Sequence, residues 1–180
     1  MKARKLTSTT ALDEQVRALY ESAFPLEEQI PYGDLMILMD KMPLDFTAYY
    51  DDGEFVGFTI VYQRKTFNWF WYFAVRSGLR GKGLGQQILT MLIEEYKDCT
   101  NILDMESPDQ VCENSEQRER RCAFYLRNGF RQTGVGKSFE GIDYTILMKG
   151  EGTFTLQDYE QVLEELRSFW KAMPEEENKS

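Results

Sequence analysis

The string Arg80-Gly81-Lys82-Gly83-Leu84-Gly85 packs three glycines and two cations into six residues. It lies between an apolar run, Trp69 to Val75, and a stretch of helical periodicity. A strand that feeds a glycine-rich loop opening a helix is suited to hold a phosphate. Glycine lets backbone N–H groups approach an anion, and the first turn of the helix adds unpaired donors and a partial positive charge. Arg76 adds a third cation just upstream. The chemistry indicated is recognition of a phosphate-bearing ligand.

The common nucleotide motifs do not fit. A P-loop needs Gly, four residues, then Gly-Lys-Ser/Thr, and no such string is present. The dinucleotide fingerprint Gly-x-Gly-x-x-Gly, started at Gly81 and Gly83, meets Gln86 where the third glycine belongs. Asp104 lies near the distance of the ribose-binding acid, which keeps a dinucleotide oxidoreductase open as an alternative. What the string does satisfy is Arg/Gln-x-x-Gly-x-Gly, at Arg80, Gly83 and Gly85. A second motif follows at Phe124-Tyr125-Leu126-Arg127-Asn128-Gly129-Phe130. Here Gly129 suits the left-handed residue that ends a helix, and Phe130 its apolar partner. With both motifs in series, the chain resembles the GCN5-related N-acetyltransferases, the GNAT superfamily.

That resemblance implies a fold and a reaction. The fold is α/β, a mixed central sheet, mostly antiparallel, with two splayed central parallel strands and flanking helices. The donor is acetyl-CoA, with no metal, and the acetyl group passes to a primary amine by direct attack in a ternary complex. The pantetheine arm would pair with backbone around Phe73, Ala74 and Val75. The pyrophosphate would rest on amides from Arg80, Gly81, Lys82, Gly83, Leu84 and Gly85. Tyr125 matches the position of a tyrosine that commonly protonates the departing thiolate; a phenol of pKa near 10 still holds its proton at pH 7.

Proton removal from the amine is less plainly encoded. Many members carry a glutamate on the strand before the phosphate loop, but this chain has Asn68, Trp69, Phe70, Trp71 and Tyr72 there. The substitute is Glu106 in Leu103-Asp104-Met105-Glu106-Ser107-Pro108, which resembles a subset of the family with Asp-x-Glu at this place and paired arginines, here Arg120 and Arg121. Glu106 and Asp104 share one strand face by the period of two. A catalytic carboxylate and a surface ion pair with Arg120 or Arg121 both remain open for Glu106. Glu27 and Glu28 fall where such proteins set acceptor specificity, and they join Asp104 as candidate substrate-binding residues.

Composition narrows the classes further. The 180 residues are 42% hydrophobic and 14% aromatic, enough for one packed domain. The chain has no histidine, so neither a Ser-His-Asp hydrolase nor an ordinary His/Cys zinc site can be assembled. A net charge of −9 argues against nucleic acid and favours an amine-bearing small molecule or peptide as partner. No apolar run approaches the ~20 residues of a membrane helix, and the N-terminus does not read as a secretory signal. The three cysteines lack Cys-x-x-Cys spacing and read as reduced thiols, so a cytoplasmic location is expected.

The element order reads β-α-α-β-β-β-α-β-α-β-β over residues 5–149. Helices are expected from Leu12 to Phe24, from Tyr32 to Met39, after the glycine loop, and from Gln117 to Asn128. Strands are expected at Lys5–Thr9, Asp45–Tyr50, Glu54–Tyr62, Asn68–Val75, Ile102–Glu106, Phe130–Val135 and Ser138–Met148. The resemblance implies that residues 1–150 form the acetyl-CoA-dependent acetyltransferase domain. Residues 151–174 add an amphipathic helix with Thr155 as N-cap and a stripe of Tyr159, Val162, Leu163, Leu166, Phe169 and Trp170, packed on the domain or buried in a homodimer. Residues 175–180 are an acidic tail expected to be disordered. A non-catalytic acyl-CoA sensor on the same fold is the alternative function.

Overall fold

Two short turns set the register of the sheet. Asp52 (φ 48°) and Gly53 (φ 84°) both take positive φ, the conformation of a type I′ hairpin turn. They join β2 (Leu44–Asp51) to β3 (Glu54–Tyr62). Glu140 (φ 49°) and Gly141 (φ 81°) repeat this device between β6 (Arg131–Phe139) and β7 (Ile142–Lys149). The sequence reading broke this last hairpin near Gly136 instead. The chain absorbs Gly134 to Gly136 as an irregularity inside β6, where the register shifts between Gln132 and Gly136. Gly134 supplies the positive φ that this kink needs.

The computed structural model describes residues 1–171, except for the side chains of Leu12 and Glu27; the expected acidic tail lies outside the described residues. Strand β1 (Lys2–Leu6) starts earlier than expected and forms one edge. With β4 (Asn68–Val75) and β5 (Asn101–Glu106) the sheet has seven strands in the order β1-β2-β3-β4-β5-β7-β6. Every neighbouring pair is antiparallel except β4 and β5. Parallel neighbours need a crossover, and α3 (Leu84–Glu95) supplies it.

Helix α1 (Glu14–Ala23) begins two residues later than the apolar periodicity suggests, because Asp13 accepts the Gln15 N–H at 2.8 Å and caps it. Helices α1 and α2 (Tyr32–Lys41) cover one face, packing on Phe46, Phe58, Ile60, Tyr72 and Ala74. Helix α3 and α4 (Ser115–Arg127) cover the other, on Val61, Phe70, Leu103, Met105 and Leu147.

Helix α5 (Leu156–Lys171) joins the first face. Thr155 and Asp158 form a reciprocal capping box, with Asp158 N–H donating to Thr155 Oγ1 at 3.2 Å and Thr155 N–H to Asp158 Oδ2 at 2.8 Å. Most of its stripe lies against the sheet: Tyr159 and Val162 are buried among Trp69, Ile102, Ile146 and Met148, with Leu163, Leu166 and Phe169 alongside, while Trp170 stays exposed. A fork from Arg64 fastens the helix, with Nε and Nη2 donating to the two Glu165 oxygens at 2.7 and 2.6 Å and Tyr62 donating to the same carboxylate. This bidentate contact is the main cause that lowers the Glu165 pKa.

Gly57 marks the tightest strand approach. A Cβ there would lie 2.3 Å from the Ala74 carbonyl oxygen on β4. Gly57→Ala should therefore destabilise by ~2 kcal/mol or more. In a thermal melt this is a drop of roughly 4–8 °C; an unchanged melting temperature would show that β3 and β4 separate freely.

Candidate active site

The central feature is a strand pair that stops pairing. Strands β4 and β5 meet only at Asn68↔Asn101 and Trp69↔Ile102. Two further contacts clamp this end, Asn68 Nδ2 to Asn101 Oδ1 at 3.1 Å and Asn68 N–H to the Thr100 carbonyl at 2.8 Å. Beyond Trp69 the strands part, so Phe70 to Val75 has no sheet partner on the β5 side. Its other edge stays bonded to β3 as far as Val75↔Gly57. The pairing with β3 skips Trp71, a bulge that puts Trp71 and Tyr72 on the α1–α2 face. Phe73, Ala74 and Val75 thus line an open edge of backbone donors and acceptors, the kind of edge an extended amide chain can join.

At the end of β4 the chain makes a 3-10 turn, Ser77–Leu79, and enters the glycine loop. Gly81 (φ 79°) and Gly83 (φ 77°) adopt the left-handed conformation, and Gly83 is the N-cap of α3. No side chain caps that terminus, so its first N–H groups stay free to meet a ligand. Arg80 and Lys82 are exposed and form no ion pair among the described residues. Arg76 behaves differently. It pairs with Glu54 at 2.6 Å and donates to the Phe55 carbonyl, so it braces β4 against β3 and does not join the cluster.

Tyr125 lies on the α3–α4 face, beside Phe124 and edge-on to Phe130 at 5.6 Å, against the cluster that Phe73 also meets. Burial pushes its phenol up to about 12, with Arg121 opposing the shift. The hydroxyl therefore stays protonated throughout the neutral and mildly alkaline range.

On the opposite face the gap opens onto carboxylates. The segment Pro25 to Pro31 is pinned by tyrosines: Tyr20 donates to the Ile30 carbonyl and accepts its N–H, and Tyr72 donates to the Glu28 carbonyl at 2.7 Å. This turns the Glu28 side chain onto the sheet, where Tyr144 donates to it at 2.6 Å. Burial raises the Glu28 pKa, and Glu106 and Asp104 add to the shift. Asp104 accepts from Trp69 Nε1 at 3.0 Å and lies 3.8 Å from Lys137 Nζ; burial raises its pKa too. Glu106 accepts from the buried Arg118 at 3.1 Å, and Arg121 stands 3.9 Å from its other oxygen. The arginine pair expected from sequence is thus divided, because Arg120 turns to Glu116. Among the described residues no three acidic groups converge closely enough to hold a metal ion.

Tyr144, Lys137 and Arg118 were not singled out in the sequence. Arg118 comes from the buried side of α4, and the other two follow from register: Glu106 faces Tyr144 and Tyr144 faces Lys137 across β5, β7 and β6, one row on one face. The Glu27 side chain lies outside the described residues. Arg121 ties the two sides together, since its charge acts on Tyr125, Glu106 and Glu28 alike.

A family model described as an acetyltransferase (GNAT) domain matches residues 44–132, the stretch that holds the splayed strands, the glycine loop and Tyr125. Over these residues the chain matches a GNAT acetyltransferase domain. The GNAT fold extends beyond the matched stretch. A GNAT-family protein from Bacteroides thetaiotaomicron is similar over 97% of this chain and 100% of its own, with a TM-score of 0.77 and 22% identity. The aminoglycoside 6'-N-acetyltransferase from Enterococcus faecium covers 83% of this chain and 96% of its own (TM-score 0.64, 18% identity). A GNAT family acetyltransferase from Elizabethkingia anophelis, solved with acetyl-CoA bound, covers 83% and 97% (TM-score 0.57, 15% identity). No curated protein matches the chain. Among the described residues no helix is long and apolar enough to cross a membrane.

Proposed function

We propose that this GNAT protein is an acetyl-CoA-dependent N-acetyltransferase that acts on a primary amine by direct attack in a ternary complex. One observation carries the reading: β4 parts from β5 just before it enters an unpaired cationic glycine loop, and Asp104 and Glu106 of β5 lie close enough to Glu28 to act on its charge. The loop and the open β4 edge fit acetyl-CoA, which supplies a thioester-activated acetyl group. Backbone from Arg80 to Gly85 would hold the pyrophosphate, with Phe73, Ala74 and Val75 along the pantetheine.

The pocket suits a cation. Asp104 and Glu106 lie near enough to Glu28 to raise its cost of ionisation, and an entering ammonium relieves that repulsion. The amine must then lose a proton before it attacks. The sequence expectation gave that step to Glu106. Its guanidinium contacts favour a fixed anion that orients the ammonium, whereas Glu28, held only by a phenol and raised by burial, is the better acceptor of the proton. Acetylation of an aminoglycoside by the Enterococcus faecium relative is a precedent for a small polar amine as substrate.

Free-thiol release from acetyl-CoA across an amine panel tests the proposal. Acetyl-CoA binding without turnover on any amine would favour the sensor reading. Glu28→Gln should lower kcat/KM by ~10²-fold at neutral pH, with the deficit shrinking at alkaline pH where the amine is already neutral. Glu106→Gln should raise KM for the amine at every pH. Exchange of these two signatures would return the base to Glu106.

A further inference from the structure

Tyr159 is the buried polar group that the mechanism above does not use. It is only 2% exposed, and its hydroxyl has no hydrogen-bond partner among the described residues. It comes from α5, outside the stretch matched by the GNAT model. Its ring stands edge-on to Trp69 at 6.5 Å, and Trp69 in turn donates to Asp104. Lys137 Nζ lies 5.1 Å from the ring centres of both Tyr159 and Tyr144 and 3.8 Å from Asp104 Oδ2. Asp104 and Tyr144 are the groups whose charge acts on the Tyr159 phenol, which burial keeps protonated. Through Lys137, the Tyr159 ring thus shares one neighbour with both Asp104 and Tyr144.

A buried hydroxyl without a partner is a cost that phenylalanine of the same shape would avoid. At this place the hydroxyl completes a set of complementary groups. Tyr159 and Lys137 offer donors, and Asp104 offers an acceptor. An ammonium, all donor, would leave the Tyr159 proton unused and would face the Lys137 charge. A hydroxyl matches all three, since it donates to the carboxylate and accepts from the phenol. We propose that α5 completes the acceptor pocket, and that Tyr159, Asp104 and Lys137 form a subsite for a hydroxyl of the acceptor, selecting amino alcohols over plain alkylamines. This rests on the acceptor-pocket reading above, with the reacting nitrogen near Glu28 and Glu106.

The test is calorimetric binding to the full chain saturated with CoA. Probes are 2-aminoethanol, 3-aminopropanol and 4-aminobutanol, each against the alkylamine of equal length. One amino alcohol should bind ~10-fold tighter than its partner, the discrimination a built polar subsite gives against an analogue lacking the group. Tyr159→Phe should erase that preference while leaving alkylamine binding, acetyl-CoA affinity and melting temperature unchanged or higher. Equal binding of every pair, no saturable binding at all, or a preference that survives in Tyr159→Phe would each overturn the subsite. Thiol release separates the two proposals. A hydroxyl preference without release would refute the transferase and keep the subsite, and release with no preference would do the reverse.

Discussion

Gly85→Val yields a folded protein whose affinity for acetyl-CoA is lower by at least ~10-fold. The loss corresponds to one charge-assisted hydrogen bond or more between backbone and pyrophosphate, each worth roughly 1.5–3 kcal/mol. Gly85 sits in the first turn of α3 and does not take positive φ, so a side chain meets no conformational penalty there. An added Cβ would lie 3.6 Å from Val75 Cγ2 and 3.9 Å from Phe73 Cζ, ordinary contact distances. The two further methyl groups of valine would add bulk between α3 and the end of β4, beside the loop proposed to hold the pyrophosphate. Gly83→Val is a poorer probe, because Gly83 has φ 77° and a β-branched residue would strain the loop itself. Calorimetry with acetyl-CoA, beside a thermal melt, checks the expectation. Native affinity in a folded Gly85→Val protein would remove the phosphate from this loop.

Tyr125→Phe should lower kcat by ~10²-fold with little change in acetyl-CoA affinity. The ring contacts with Phe124 and Phe130 survive the change, and the hydroxyl has no hydrogen bond to lose among the described residues, so stability should hardly move. With a pKa raised to about 12 by burial, the phenol is a weak acid. Its part is to donate a hydrogen bond to the sulfur as negative charge builds there, an electrostatic contribution made in the transition state. The sign of the pH dependence follows. The donor is present at every pH below its raised pKa, so Tyr125 imposes no alkaline limb on kcat until about pH 12. A falling limb centred between pH 8 and 10 that vanishes in Tyr125→Phe would contradict the raised pKa. Full kcat in the variant, with chemistry rate-limiting, would remove Tyr125 from the reaction.

The sequence by itself determined the glycine loop, the strand before it, the Asp51-Asp52-Gly53 hairpin and the capped C-terminal helix. Each is a local matter: left-handed glycines, period-two alternation and a reciprocal cap need only neighbours a few residues apart. It also carried the motif that places Tyr125 on α4. The last hairpin was misread because Glu140-Gly141 and Gly134 to Gly136 both offer turn chemistry, and only pairing with β7 decides which becomes the turn. The acceptor pocket was legible only in part. Asp104, Glu106 and Glu28 could be named, but their partners come from register across three strands, from a pinned loop and from α5. Arg118 was chosen over Arg120 as the partner of Glu106 by which face of α4 is buried. Tyr159 reads in sequence as one more apolar residue of an amphipathic stripe. Only the tertiary fold, by burying its ring against Trp69 beside Lys137 and leaving its hydroxyl without a partner, makes it a candidate polar group of the pocket. Local geometry is written in neighbouring residues, whereas burial and charge proximity arise only when distant segments share one volume.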